Sequence, residues 1–325
     1  MDKKKYYSCY WLNSGIHFTK DNVRFCCYEY LHSKNDNVII DKYDGSLIDY
    51  EKFFSFKENY VNLAKNGDVH PNCKGCIYLE EKEWDDSNYF DHFLFNHWLN
   101  CNSKCIYCEQ AFFHPQYRRQ YYDVYPILVD MKKNNLLKGN PHSCVVFGGG
   151  EPTLLSEFDT LLDLFMQENF NNIRVNSSGI KYSLALENAL KEGSASLVIS
   201  PDSGSKDVYK KIKRVDAFDI VWKNISNYTK NAKNPCSVKA KYILIRDVND
   251  NKREIDNFFK MCVKNGVKAV SMSVEQHWYF RDFPNMPPRV YDLISYFEEK
   301  GKKLNFDIEL YCEAISVLQN RKSVN

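Results

Sequence analysis

From about residue 88 onward, short apolar runs alternate with stretches of helical spacing, and most of the apolar runs stop in Gly, Ser, Asp or Asn. Runs this short and rich in β-branched and aromatic residues read as buried strands, so the alternation predicts repeated β/α units and a parallel sheet. Strands are expected from Phe93 to Trp98, Cys144 to Phe147, Asn172 to Asn176, Ala195 to Ser200, Val238 to Ile245, Ala269 to Val274 and Phe306 to Leu310. Helices are expected near 120–138, from Phe158 to Met166 behind a Ser156 cap, and near 182–191, 205–212, 217–231, 252–265 and 290–300, with a short one in the tail. The polar and glycine-rich residues fall just past the strands, the edge where parallel α/β folds bind ligands. Residues 1–87 are irregular and aromatic-rich, so the chain divides into that extension, an 88–285 core and a 286–325 helix/strand cap.

Charge is nearly balanced. Lys and Arg number 44 and Asp and Glu 42, which leaves a net +2 and gives no argument for nucleic acid or an anionic membrane as partner. No apolar run approaches the ~20 residues that cross a membrane, and Tyr6 to Ser14 lacks the apolar stretch of a secretion signal. A cytoplasmic, reducing setting follows as the expectation. There the 12 cysteines read first as metal or redox ligands and only then as disulfides.

Three of them, Cys101, Cys105 and Cys108, form a C-x₃-C-x₂-C run just past the first core strand. Thiolate is a soft donor suited to iron–sulfur clusters and zinc. Three ligands are one short of a closed site, so a [4Fe–4S] cluster held here keeps one iron open to a substrate or cofactor. The competing reading is a zinc knuckle that borrows His97 or His114.

A second element, Gly148-Gly149-Gly150-Glu151-Pro152, follows the next strand. Glycines let backbone approach a ligand closely, and a carboxylate can meet a ligand ammonium. No Gly-Lys-Ser/Thr follows, which excludes a phosphate P-loop. A tight βα turn with a solvated glutamate is the structural alternative.

Together these elements resemble the radical S-adenosylmethionine (radical SAM) superfamily, whose signature is C-x₃-C-x₂-C after the first strand, an aromatic residue before the last Cys, and Gly-Gly-Glu after the second. Cys101/Cys105/Cys108, Tyr107 and Gly149-Gly150-Glu151 supply all three in order, over about residues 88–283. The resemblance implies a partial (β/α)₆ barrel, a [4Fe–4S] cluster and SAM. It also implies SAM contacts at Gly149, Gly150 and Glu151, at Asn176 and Ser178 after the third strand, and at Ser200 and Asp202 after the fourth. Lys213, with Arg214 beside it, matches the basic residue that faces the methionine carboxylate. The implied reaction is reductive cleavage of SAM to a 5′-deoxyadenosyl radical that takes hydrogen from a substrate. An electron donor such as flavodoxin or ferredoxin would supply the electron. Peptide or protein modification is the leading substrate class. Radical modification of a sugar, nucleotide or other small metabolite is the alternative, and a non-catalytic metal-binding interaction protein is the rival from outside enzymes.

The remaining cysteines suggest a second site. Cys73 and Cys76 form a C-x₂-C pair, a common ligand spacing, and Cys26 and Cys27 are adjacent. Cys26, Cys27, Cys73 and Cys76 are the candidate auxiliary ligands for a second iron–sulfur cluster or zinc, with Cys9 and His70 nearby in sequence. Cys144, Cys236 and Cys262 read as small core residues. His277, Trp278 and Tyr279, past the last core strand, either line the substrate mouth or pack under the C-terminal helix.

Overall fold

A computed structural model describes residues 5–26, 38–76, 78–85, 88–108 and 121–324. The chain forms two compact units, each assembled from several segments. One comprises 1–100, 118–150 and 155–173, the other 101–117, 151–154 and 174–325.

The first unit contains a sheet in the order β7 (Cys144–Phe147), β6 (His92–Phe95), β2 (Gly15–Phe18), β3 (Asn22–Arg24) and β4 (Val38–Asp41). β2, β6 and β7 run parallel, and β3 and β4 are antiparallel additions with a register shift at Val23/Arg24. A separate antiparallel pair joins β1 (Tyr6–Ser8) to β5 (Glu80–Lys82). The expected first strand thus ends at Phe95, and a strand from within residues 1–87 lies parallel beside it.

Aromatic side chains hold this unit. Phe18, Phe95 and Phe147 occupy one register row across three strands. Their rings stack at 5.5 and 5.1 Å, and all three are fully buried. Such pairs add roughly 0.5–1.5 kcal/mol beyond the area they bury. Helix α1 (Tyr10–Ser14) follows β1. Helix α2 (Tyr50–Lys65) begins where Asp49 accepts a hydrogen bond from the Lys52 N–H at 3.0 Å, an N-cap. It turns Phe53, Phe54, Tyr60 and Val61 inward, with Phe54 stacked on Phe90 at 5.1 Å. Helices α3 (Tyr125–Lys133) and α4 (Phe158–Gln167) complete the unit.

The second unit follows the expected alternation closely. Its strands lie in the order β8 (Ile173–Ser177), β9 (Ala195–Ile199), β10 (Val238–Leu244), β11 (Ala269–Val274) and β12 (Asp307–Leu310). The β9–β10, β10–β11 and β11–β12 pairs are parallel. Between and after them come α5 (Leu184–Glu192), α6 (Lys206–Lys213), α7 (Phe218–Asn231), α8 (Lys252–Lys264), α9 (Gln276–Asp282), α10 (Pro288–Lys303) and α11 (Cys312–Val324). In β10, Val238, Ala240, Tyr242 and Leu244 are fully buried while Lys239, Lys241 and Ile243 face the other way, half-buried. That two-residue period separates a hydrophobic face from a face carrying polar groups. No helix among the described residues is long and apolar enough to cross a membrane.

Two predictions follow from this packing. Phe95→Ala is expected to cost about 3–5 kcal/mol in a urea titration, and Leu184→Ala, 71% exposed, to stay within about 0.5 kcal/mol. A Phe95→Ala loss below about 1 kcal/mol would contradict the aromatic row. The second concerns pH. Burial pushes both His17 and His97 down to about 3. Their folded-state values lie below the free value of about 6.5, so the native state binds fewer protons than the unfolded chain. Stability should be full above about pH 6.5 and decline as pH falls from there toward 3. The expected loss is about 2 kcal/mol per histidine by pH 5, at about 1.4 kcal/mol per pH unit. His97→Phe should make the decline shallower; an equally steep fall would show that His97 does not contribute.

Candidate active site

In the first unit, β7 gives way to Gly148-Gly149-Gly150. Gly149 has φ +73°, and a Cβ there would stand 2.8 Å from the Trp98 carbonyl. A Cβ on Gly150 would meet the Asn100 carbonyl at 2.2 Å. The glycines are therefore required by the backbone passing beside them, residues 98–100, which leads into the three-cysteine loop. The Gly150 N–H donates to the Trp98 carbonyl at 3.1 Å and fixes that approach.

The second unit carries the other residues named from the sequence for the cluster and SAM. Cys101, Cys105 and Cys108 lie in a loop whose backbone is bonded to the end of α6. The Lys104 N–H donates to the Lys213 carbonyl and the Ile106 N–H to the Ile212 carbonyl, both at 2.9 Å. Carbonyls in the last turn of a helix lack intrahelical donors, and here the loop supplies two. Within the loop, the Cys108 N–H donates to the Cys105 carbonyl at 3.1 Å and the Ser103 N–H to Cys101 Sγ at 3.4 Å.

The same helix end contributes Lys213 to a buried polar triad. Asp202 Oδ2 accepts from Lys213 Nζ at 2.5 Å and from the Tyr107 hydroxyl at 2.6 Å. Lys213 Nζ also donates to the Tyr107 oxygen at 2.6 Å. Asp202 Oδ1 takes the Ile243 N–H at 3.0 Å, and the residue stands at φ +57°. Asn249 secures that strained turn, donating from Nδ2 to the Asp202 and Ile243 carbonyls at 2.8 Å each. Burial alone would lower the Lys213 pKa, but the Asp202 carboxylate outweighs it and the ammonium is held above its ordinary value. Burial, and then Asp202, push the Tyr107 hydroxyl well up, so it stays a neutral donor.

Glu151 is anchored with equal completeness. Its Oε1 accepts from the Thr153 N–H at 3.2 Å, the Thr153 hydroxyl at 2.8 Å and the Ser177 hydroxyl at 2.8 Å, and its Oε2 from the Ser178 N–H at 2.6 Å. It is 1% exposed, so it is not a solvated glutamate in a turn. Ser178 in turn donates from Oγ to Asn102 Oδ1 at 2.8 Å, which ties the turn after β8 to the three-cysteine loop. Asn176 and Ser200 stand half-buried at the ends of β8 and β9. Arg214 is exposed, in a left-handed conformation at the cap of α6, so Lys213 is the basic residue turned inward.

Sequence reasoning placed Lys241 inside the strand expected from Val238 to Ile245 and gave it no role in the site. Its side chain lies on the polar face of the β8–β12 sheet, with Nζ 3.7 Å from the centre of the Tyr311 ring. Burial lowers its pKa. Arg174 donates to the Tyr311 hydroxyl, and Lys239 pairs with Glu309 at 3.0 Å. Ser271, in register with Lys241, has a fully buried hydroxyl that finds no partner among the described residues. Asn102 and Tyr311 were also not identified, because their partners Ser178 and Lys241 lie far away in sequence. Trp278 is buried, while His277 and Tyr279 sit with it on α9, whose N-terminus Glu275 caps. His114 and Cys27 fall outside the described residues.

The fold and the loop together define a class. A family model described as the Radical SAM superfamily matches residues 95–262, just over half of the 325, and the chain belongs to that superfamily. It is 26% identical over 169 residues to a GTP 3',8-cyclase of Clostridium botulinum (strain Okra / Type B1), covering 50% of each. The chain thus spans about half the length of the curated relatives it matches. It also resembles Streptococcus suis SuiB solved with S-adenosylmethionine, at TM-score 0.53 and 13% identity over 81% of this chain and 56% of that one. Against SuiB solved with its precursor peptide SuiA the TM-score is 0.55, at 14% identity, over 88% of this chain and 60% of that one. These likenesses show the shared α/β fold.

Membership implies a [4Fe–4S] cluster and SAM, and the donor set fits. Three thiols share one loop, and burial pushes Cys101 up to about 12, with Glu151, Cys105 and Cys108 adding to the rise. A bound metal would replace those protons. Among the described residues no group of three or more His, Cys, Asp or Glu side chains is arranged to hold a metal ion as it stands, this loop included.

Removing one partner of a buried ion pair leaves an uncompensated charge. Lys213→Met is expected to destabilise the fold by about 3–5 kcal/mol in a denaturant titration. The Lys213→Met/Asp202→Asn double variant should recover part of that loss; additive losses would show that the two side chains are not coupled.

Proposed function

We propose that this chain is a radical SAM enzyme in which Cys101, Cys105 and Cys108 hold a [4Fe–4S] cluster. The cluster, when bound, supplies the open iron and the electron for cleaving SAM to methionine and a 5′-deoxyadenosyl radical, which then takes a hydrogen atom from the substrate. The observation that carries this reading is the double anchoring of the cysteine loop. One anchor is the end of α6 with the Lys213–Asp202–Tyr107 triad, and the other is Asn102 to Ser178 and Glu151.

The protein's residues divide the work. Gly149 and Gly150 allow backbone to approach closely. Glu151, Asn176, Ser178, Ser200 and Asp202 present carboxylate, amide and hydroxyl groups to the SAM ammonium and ribose, and Lys213 presents its ammonium to the methionine carboxylate. Glu151 and Lys213 are satisfied by protein partners here, so SAM binding exchanges hydrogen bonds and does not capture unpaired charges. Such a site is preorganised and keeps bulk water away from a reactive species. An electron carrier such as flavodoxin or ferredoxin would reduce it.

We place the substrate among peptides or proteins. The SuiB likeness supports this, since that protein was solved with its precursor peptide over a fold covering 88% of this chain. A phosphorylated small metabolite is the second reading, favoured by the GTP 3',8-cyclase relative. Arg174, Lys239 and Lys241 on the polar face of the β8–β12 sheet suit an anionic group in either case.

Anaerobic reconstitution with iron and sulfide, then dithionite and SAM, should yield 5′-deoxyadenosine and methionine. Cys105→Ser should reduce that yield at least 100-fold, because a cubane with a missing ligand is not retained. A wild-type protein with a confirmed cluster that forms neither product would overturn the proposal.

A further inference from the structure

Four cysteines of the first unit converge from three separate chain segments. β1 and β5 pair with Ser8 opposite Glu80, so Cys9 leaves the ladder level with Leu79. The Leu79 N–H in turn donates to the Cys76 carbonyl at 3.3 Å. Cys9 therefore faces the turn that Cys76 begins.

Cys26 arrives by a different route. Phe25 packs edge-on against Tyr60 at 5.0 Å, and Tyr60 lies against His70 at 3.9 Å between ring centres. His70 caps the short helical turn Pro71–Cys73, accepting the Asn72 N–H on Nδ1 at 3.2 Å. The Cys73 N–H returns to the His70 carbonyl at 2.8 Å, and the Cys76 N–H to the Cys73 carbonyl at 3.1 Å. This stack of rings brings the segment that runs into Cys26 toward the C-x₂-C turn of Cys73 and Cys76.

We infer that Cys9, Cys26, Cys73 and Cys76 form a tetrathiolate site for a second metal centre, either a zinc ion or an iron–sulfur cluster. Four sulfur donors close the coordination shell, so this centre would be structural or relay electrons, and it would not bind substrate. The inference is independent of the proposed radical chemistry. It also changes the ligand set expected from the sequence, because Cys9 enters and Cys27 is not needed.

Two further observations agree with it. First, Cys26, Cys73 and Cys76 lie near enough to Cys9 to act on it electrostatically, and Cys26 and Cys76 near enough to Cys73. Second, the donors lie on secondary structure fixed by other contacts. Cys9 caps α1 by accepting the Leu12 N–H at 3.3 Å, and Trp84 Nε1 donates to the Tyr6 carbonyl at 3.1 Å. Among the described residues no three or more His, Cys, Asp or Glu side chains are arranged to hold a metal ion as they stand, so the site would form only if the four thiols turn toward the metal.

The test removes the other centre first. The full-length Cys101→Ser/Cys105→Ser/Cys108→Ser variant, purified anaerobically and reconstituted with iron, sulfide and zinc, should retain about one zinc or about four irons per chain. Adding Cys9→Ser or Cys73→Ser should cut that content at least five-fold, whereas adding Cys27→Ser should leave it unchanged. A triple variant free of metal would overturn the inference, as would metal that survives Cys9→Ser but is lost with Cys27→Ser. In case the added substitutions prevent folding, the triple variant is alkylated before and after chelator treatment. Cys9, Cys26, Cys73 and Cys76 should gain protection from metal and lose it to the chelator. Labelling indifferent to the chelator would mark them as ordinary buried thiols.

Discussion

The site rests on how one mobile-looking sequence, a polar loop with three cysteines, is made rigid. The loop has no regular structure of its own, yet two of its N–H groups complete the last turn of α6. That helix end presents Lys213, and the buried Lys213–Asp202–Tyr107 cluster locks it. Buried ion pairs are weak sources of net stability but costly to break, which suits them to fixing geometry. Tyr107 lies within the C-x₂-C half of the motif, so the triad acts directly on the segment between Cys105 and Cys108.

The second anchor uses neutral and anionic groups. Glu151 gathers donors from Thr153, Ser177 and Ser178, and Ser178 passes the constraint to Asn102. A carboxylate with both oxygens occupied does not reorganise easily. The hydrogen bonds to the charged group are each worth roughly 1.5–3 kcal/mol, about twice a neutral one. Ligand recognition at this edge is therefore a matter of exchange between partners already in place.

Much of this was legible in the sequence. The β/α alternation located β7 through β11 closely, because short apolar runs bounded by Gly, Ser and Asp have few other readings. The cysteine spacing and Gly-Gly-Glu pointed to the candidate site because each depends on residues adjacent in the chain. The expectation of a strand reaching Trp98 failed at Phe95, where Asn96 leaves the sheet and donates to the His17 ring. β2 was not foreseen, since Gly15–Phe18 is only four residues long and gains its stability from the Phe18–Phe95–Phe147 row. Asn102 and the Lys241–Tyr311 contact were not legible either. Each depends on pairing across tens of residues, which local spacing does not encode. The sequence favoured Lys213 over its neighbour Arg214; the end of the helix falls between them and turns Lys213 in and Arg214 out.

The central claim is that the loop of Cys101, Cys105 and Cys108 presents an open iron to SAM. Electron paramagnetic resonance of the reduced, reconstituted protein tests it most directly, using a variant lacking Cys73 and Cys76 so that only this centre contributes. The account predicts a [4Fe–4S] signal whose g-values shift when SAM is added and which is absent from Cys105→Ser. A cluster signal that SAM leaves unchanged, or one that survives Cys105→Ser, would contradict it.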